Sequence, residues 1–125
     1  MESNREERLR EIEEQIEGLL ALLRDRSGDN YYHGRFPLRD KAVKELVKLG
    51  NVAVEPLCLA LLDEDIYTRR FTAEALGQIG DTRAVLALIR SFQLSSQLVQ
   101  PDIARALAKV ADERAVAPLY AALSQ

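Results

Sequence analysis

The sequence predicts an all-α fold: an α-solenoid of three helical hairpins preceded by an N-terminal amphipathic helix. Three observations predict it. The chain repeats itself, since AEALGQIGDTRAVLAL at 73–88 follows VKELVKLGNVAVEPL at 43–57 and precedes ARALAKVADERAVAPL at 104–119. Val54, Val85 and Val116 are 31 residues apart, as are Leu57, Leu88 and Leu119, and a period of roughly 20 to 50 residues marks stacked units that share a core. Alanine and leucine dominate, tryptophan is absent and aromatics make up 6%, a composition that favours helix over strand. Within each unit the apolar residues keep helical spacing and then break at Gly50, at Gly80–Asp81 or at Ala111–Asp112.

The N-terminal element spans 1–26. Leu9, Ile12, Ile16, Leu19 and Leu23 recur at spacings of three and four, a short heptad seam. Ser3 or Asn4 is placed to cap this helix, with Glu6 and Glu7 in its first turn, where the helix dipole favours negative charge. The seam has two possible uses: it caps the first repeat, or it forms a homodimer through those five residues. Residues 27–37, SGDNYYHGRFP, break the period with two glycines, Asp, Asn and Pro, and read as a loop. Tyr31, Tyr32, Arg35 and Phe36 make it an aromatic cluster suited either to touching a partner or to folding back over the solenoid. His33 has no second histidine or cysteine at ligand spacing, so no metal site is expected.

Three repeats fill 38–125, at about 38–62, 66–93 and 97–124. Pro37 suits the first turn of the first helix, which runs to Leu49. The second helix of that unit covers 52–62. Asp63 or Asp65 caps the helix at 66–79, Gly80 stops it, and Asp81 caps the helix at 82–93. In the third unit Pro101 requires either a start near Val99 or an irregular first turn. That helix ends near Val110, and Asp112 caps the last helix, at 113–123.

At 125 residues the chain matches one domain, and 47% hydrophobic content is ample for a core. Its net charge is −3, with eight acids and five bases in 1–26 and twelve of each in 27–125. A neutral repeat body argues against nucleic acid, which demands a clustered basic surface. The single cysteine, Cys58, forms no internal disulfide, and the N-terminus carries no signal-like apolar core. No apolar run is long enough to cross a membrane, and a cytoplasmic location is expected by default.

The pattern AEALGQIGDTRAVLALI followed by ARALAKVADERAVAPLYAAL resembles HEAT repeats of the phycocyanobilin lyase-like type, with about thirty residues per unit. The resemblance covers 38–123 and implies HEAT-like hairpins. Proteins with such repeats include bilin lyase subunits, antenna-associated factors and stand-alone adaptors, so the fold does not fix the function. HEAT enzymes that hydroxylate a modified lysine carry repeated His-Glu pairs, and HEAT-like DNA glycosylases rely on tryptophan and a basic face. Neither set occurs in this sequence. Asp81 and Arg83, repeated as Asp112 and Arg114, read as helix caps and inter-repeat pairs rather than catalytic groups.

Solenoids of this kind line a concave surface with the second helix of each hairpin, here the B helix. Val54, Leu57 and Leu61 take core positions, matching Val85, Leu88 and Phe92, then Val116, Leu119 and Leu123. The outward positions, Glu55, Leu59, Leu62, Leu86, Arg90 and Tyr120, together with Cys58 and Ile89, form a sparsely charged strip. The N-terminal helix can also cover part of it. Left open, the strip suits a protein partner, and the expected function is a non-catalytic scaffold or adaptor with no catalytic residues, no metal and no cofactor. The alternative is a bilin lyase-like subunit or phycobilisome-associated factor. A tetrapyrrole would then set its propionates on Arg90 with Arg35 or Arg69, and its rings on Tyr31, Tyr32 or Tyr120.

Overall fold

A computed structural model describes residues 2–30, 32–111 and 121. Apart from residue 121, the predicted helix at 113–123 lies outside the described residues, as do its cap Asp112, Arg114 and the core positions Val116, Leu119 and Leu123. So do the site candidates Tyr31 and Tyr120.

Helix α1 runs from Glu2 to Arg24. It takes in Ser3 and Asn4 as helical residues rather than caps, and ends two residues before the expected boundary. Its C-terminal half buries Ile16, Leu19 and Leu23 against α2 (Pro37–Leu49), with α3 (Val54–Ala60) and α4 (Ile66–Ile79) alongside. Full burial of such side chains stabilises by about 2 kcal/mol each, so this half of the seam covers the edge of the first repeat. Leu9 stays 52% exposed and Ile12 half-buried.

The loop after α1 folds back on itself. Asn30 and Arg35 exchange backbone hydrogen bonds of 2.7 and 2.9 Å, and Gly34 supplies the left-handed φ of 61° that the turn requires. Pro37 opens α2 as expected, and Gly50 closes it by donating to the carbonyls of Leu46 and Val47. The second helices begin tighter than expected. A 3-10 turn at Gly50–Ala53 leads into α3, and another at Thr82–Ala84 leads into α5 (Val85–Leu94).

Helix α4 has the predicted bounds, for predicted reasons. The Asp65 carboxylate accepts from the amides of Tyr67 and Thr68 and from the Thr68 hydroxyl at 2.8 Å, and Gly80 ends the helix in the left-handed region. Helix α6 (Gln100–Val110) places Pro101 in its first turn, where the missing N–H has no intrahelical partner to lose. The Gln100 side chain donates to the Phe92 carbonyl at 2.9 Å, tying α6 to the end of α5.

The first helices α2, α4 and α6 pack side by side in one layer, and α3 and α5 return along the other. Core residues Leu46, Val54, Leu57, Leu76, Leu88 and Ile103 are fully buried between them. At the closest crossing, a Cβ added to Gly77 would sit 3.0 Å from the Ala106 Cα and 3.2 Å from its Cβ. The near-contact of α4 and α6 therefore depends on two small residues.

Among the described residues one charged residue, Arg39, is buried with the core. Arg39 lies on the inward stripe of α2 with Ala42, Val43 and Leu46 and is 0% exposed. Its guanidinium is 3.1 Å from an Asp29 oxygen in the loop and 3.1 Å from an Asp65 oxygen at the start of α4, and lies 5.8 Å from the Phe71 ring centroid. Burial pushes the Asp65 carboxyl up, but the contacts from Thr68 and Arg39 outweigh it and hold the group below the usual carboxylate range.

Candidate functional site

The outward faces of α3 and α5 follow from the 31-residue offset. Val54 and Leu57 on α3, and Val85 and Leu88 on α5, turn into the core. The helical period then forces Glu55, Leu59 and Leu62 outward in the first unit, and Leu86 and Arg90 in the second. Leu59 is 71% exposed, Leu62 69% and Leu86 63%. These five predicted residues, with Cys58, Arg83 and Ala87, line one open groove of about 560 Å³. Ile89, placed by alignment on the same strip, is buried instead, on the core side of α5 with Val85 and Leu88. The N-terminal helix does not cover the strip.

Charge in the groove is sparse and mostly spoken for. Arg83 grips both oxygens of Asp81, at 3.2 Å from Nε to Oδ1 and 2.9 Å from Nη2 to Oδ2. It also donates to the Asn51 carbonyl of the preceding turn at 3.1 Å and approaches Glu55 at 3.9 Å. The expected inter-repeat pairing is thus present between the first two turns. Hydrogen bonds from the Arg83 side chain and backbone hold the Asp81 carboxyl below its ordinary value. Arg90 makes no ion pair among the described residues and is exposed. Burial pushes the Cys58 thiol up, only partly offset by the Arg83 charge, so it is predominantly a protonated thiol at neutral pH and a poor nucleophile.

A second groove of about 660 Å³ adjoins the first. Its walls are Leu9, Ile12, Ile16 and Leu20 of α1 on one side and Val52, Pro56 and Leu59 on the other.

The loop candidates separate. Tyr32 stands 96% exposed at the turn, and Arg35 is exposed beside it. Phe36 is not a surface contact: it is buried, stacked on Tyr67 at 6.1 Å between centroids and tilted against Phe71 at 5.1 Å. Its ring completes the apolar layer at the start of α2, which an aromatic loop reading could not distinguish from exposure. Arg70 caps the same cluster, 5.7 Å from the Phe36 centroid and 5.4 Å from that of Phe71. Arg90 on α5, Arg35 in the loop and half-buried Arg69 on α4 belong to separate elements, and of the three Arg90 alone lines either of these two grooves. Sequence reasoning missed Arg39, although an arginine in register with Ala42, Val43 and Leu46 is itself the signal.

Among known families, HEAT repeats match residues 54–125. The phycocyanobilin lyase subunit alpha of Picosynechococcus sp. is 43% identical over 77 residues, which is 61% of this chain and 28% of that protein. The phycocyanobilin lyase subunit alpha of Synechococcus elongatus is 38% identical over 73 residues, or 58% of this chain and 27% of that protein. The chain thus aligns with little more than a quarter of the length of these curated relatives. No helix among the described residues is long and apolar enough to cross a membrane.

Proposed function

The chain belongs to the HEAT-repeat family, and we propose on that footing that it is a non-catalytic scaffold or adaptor that holds a protein partner on its B-helix surface. One observation carries this reading: Leu59, Leu62 and Leu86 stand exposed around an open groove whose cation Arg90 makes no ion pair among the described residues. Three leucines left in water at one place form an apolar patch that association would bury, and a nearby arginine gives such a patch direction and specificity. Burial pushes the Cys58 thiol in this groove up, which makes it a poor nucleophile at neutral pH.

The test is capture of a partner on immobilised protein, followed by a binding isotherm with the purified partner. Leu59→Glu with Arg90→Glu raises the dissociation constant by about a hundredfold, the loss of one buried leucine and one charged contact, while helical content stays unchanged. Unaltered affinity refutes the groove assignment.

A second reading is favoured by the 43% identity to a phycocyanobilin lyase alpha subunit. Under it the chain is a bilin lyase-like subunit or phycobilisome-associated factor that handles a tetrapyrrole or its apoprotein. Co-production with a bilin separates the two readings: a coloured protein favours the second, and a colourless one that still captures an apoprotein favours the first.

A further inference from the structure

Helix α1 carries an apolar edge that its own chain does not finish covering. Residues 4–11 are exposed throughout, Leu9 is 52% exposed, and a helical stretch of that length is marginal in water without a packing partner. Directly beside it lies the groove whose far wall is Val52, Pro56 and Leu59, with Val52 and Leu59 exposed as well. The unburied ridge and the unfilled groove are therefore parts of one surface. Self-association about a two-fold axis needs that property, because each copy must offer the ridge and the groove at once.

We propose that this groove is filled by the N-terminal half of α1 from a second copy of the chain, the two α1 helices crossing antiparallel. Charge supports the direction. Residues 5–10 carry Arg5, Arg8 and Arg10 against Glu6 and Glu7, whereas residues 11–17 carry Glu11, Glu13, Glu14 and Glu17 and no base. Among the described residues none of the arginines and glutamates at 5, 8, 10, 11, 13, 14 and 17 makes an ion pair within the chain; Glu13 and Glu17 line the groove with Glu55, whereas its cations Arg24 and Arg83 are already held by Asp63 and Asp81. An antiparallel crossing brings the arginines of each helix to the acidic stretch of the other, whereas a parallel one sets acid against acid. This groove shares Leu59 and Glu55 with the strip between α3 and α5, so the tests alter only α1 residues absent from that strip.

Sedimentation equilibrium of the 125-residue chain tests it directly. The expected result is a monomer–dimer equilibrium that weakens as salt is raised. Leu9→Glu raises the dimer dissociation constant by about tenfold or more, because the leucine is lost at two symmetric positions. Arg5→Glu/Arg8→Glu/Arg10→Glu and Glu13→Arg/Glu14→Arg/Glu17→Arg are each monomeric alone and form a mixed dimer when combined, with circular dichroism confirming that α1 stays helical. A wild-type chain that remains monomeric at high micromolar concentration overturns the proposal. So does a dimer indifferent to Leu9→Glu, and a dimer strengthened by salt overturns the antiparallel arrangement.

Discussion

Replacing Arg39 by methionine keeps the length and apolar stem of the side chain and deletes its charge. The guanidinium is fully buried and faces two carboxylates, Asp29 with a side chain 1% exposed and Asp65 with one 23% exposed. Removing one partner of a buried ion pair costs about 3–5 kcal/mol, because the other charge must then be accommodated away from water. Both contacts are at ion-pair distance, 3.1 Å. Asp65 keeps partial access to water, so we place the loss near the low end, about 3 kcal/mol. A domain of this size has about 5–15 kcal/mol in total, so the change is large enough to move a urea midpoint clearly. Adding Asp29→Asn removes the most deeply buried carboxylate and recovers a substantial part of the loss. Urea unfolding followed by helical circular dichroism at neutral pH measures all three chains. A cost below about 1 kcal/mol for Arg39→Met, or no recovery in the double variant, refutes the assignment of Arg39 as the charge that binds the loop to α4.

Two further outcomes follow from the packing and the caps. Gly77→Val forces α4 and α6 apart at a contact already 3.0 Å from the Ala106 Cα and costs about 2 kcal/mol by overpacking; an unchanged melting temperature contradicts the close approach. The Asp65 carboxyl is held below its usual range in the folded chain, so its stabilisation is fully present above the unfolded value of about 3.9 and is lost as pH falls through the lower folded value. Asp65→Asn flattens that acid limb of the stability curve in urea titrations between about pH 5 and pH 3, and an unchanged slope rules out Asp65 as its source.

Much of this molecule is legible in its residues because its devices are local. Asp65 and Gly80 bound α4 through groups within a few residues of each other, and periodicity alone sends Leu59, Leu62 and Leu86 outward. What escaped reading depends on distant neighbours. Arg39 reads as a solvated helix residue unless Asp29 and Asp65 are known to converge on it. Phe36 reads as a loop aromatic unless Tyr67 and Phe71 are known to lie beside it. The seam of α1 is visible in sequence, but its division into a buried half and an exposed half is set by where the first repeat stops beneath it.

The reach of Arg83 to the Asn51 carbonyl gives the stack a direction. The earlier turn contributes only a main-chain oxygen, which any residue provides, whereas the later turn must bring the Asp–Arg pair that aims the guanidinium. At this junction the earlier unit is consequently free to carry almost any turn, as Gly50–Asn51 does, but the later one must carry the clasp. Exchanging the order of the first two units would leave Arg83 with nothing upstream to hold and the new junction without an arginine. The first two modules thus join as a hook and an eye, with an interchangeable eye and a specified hook.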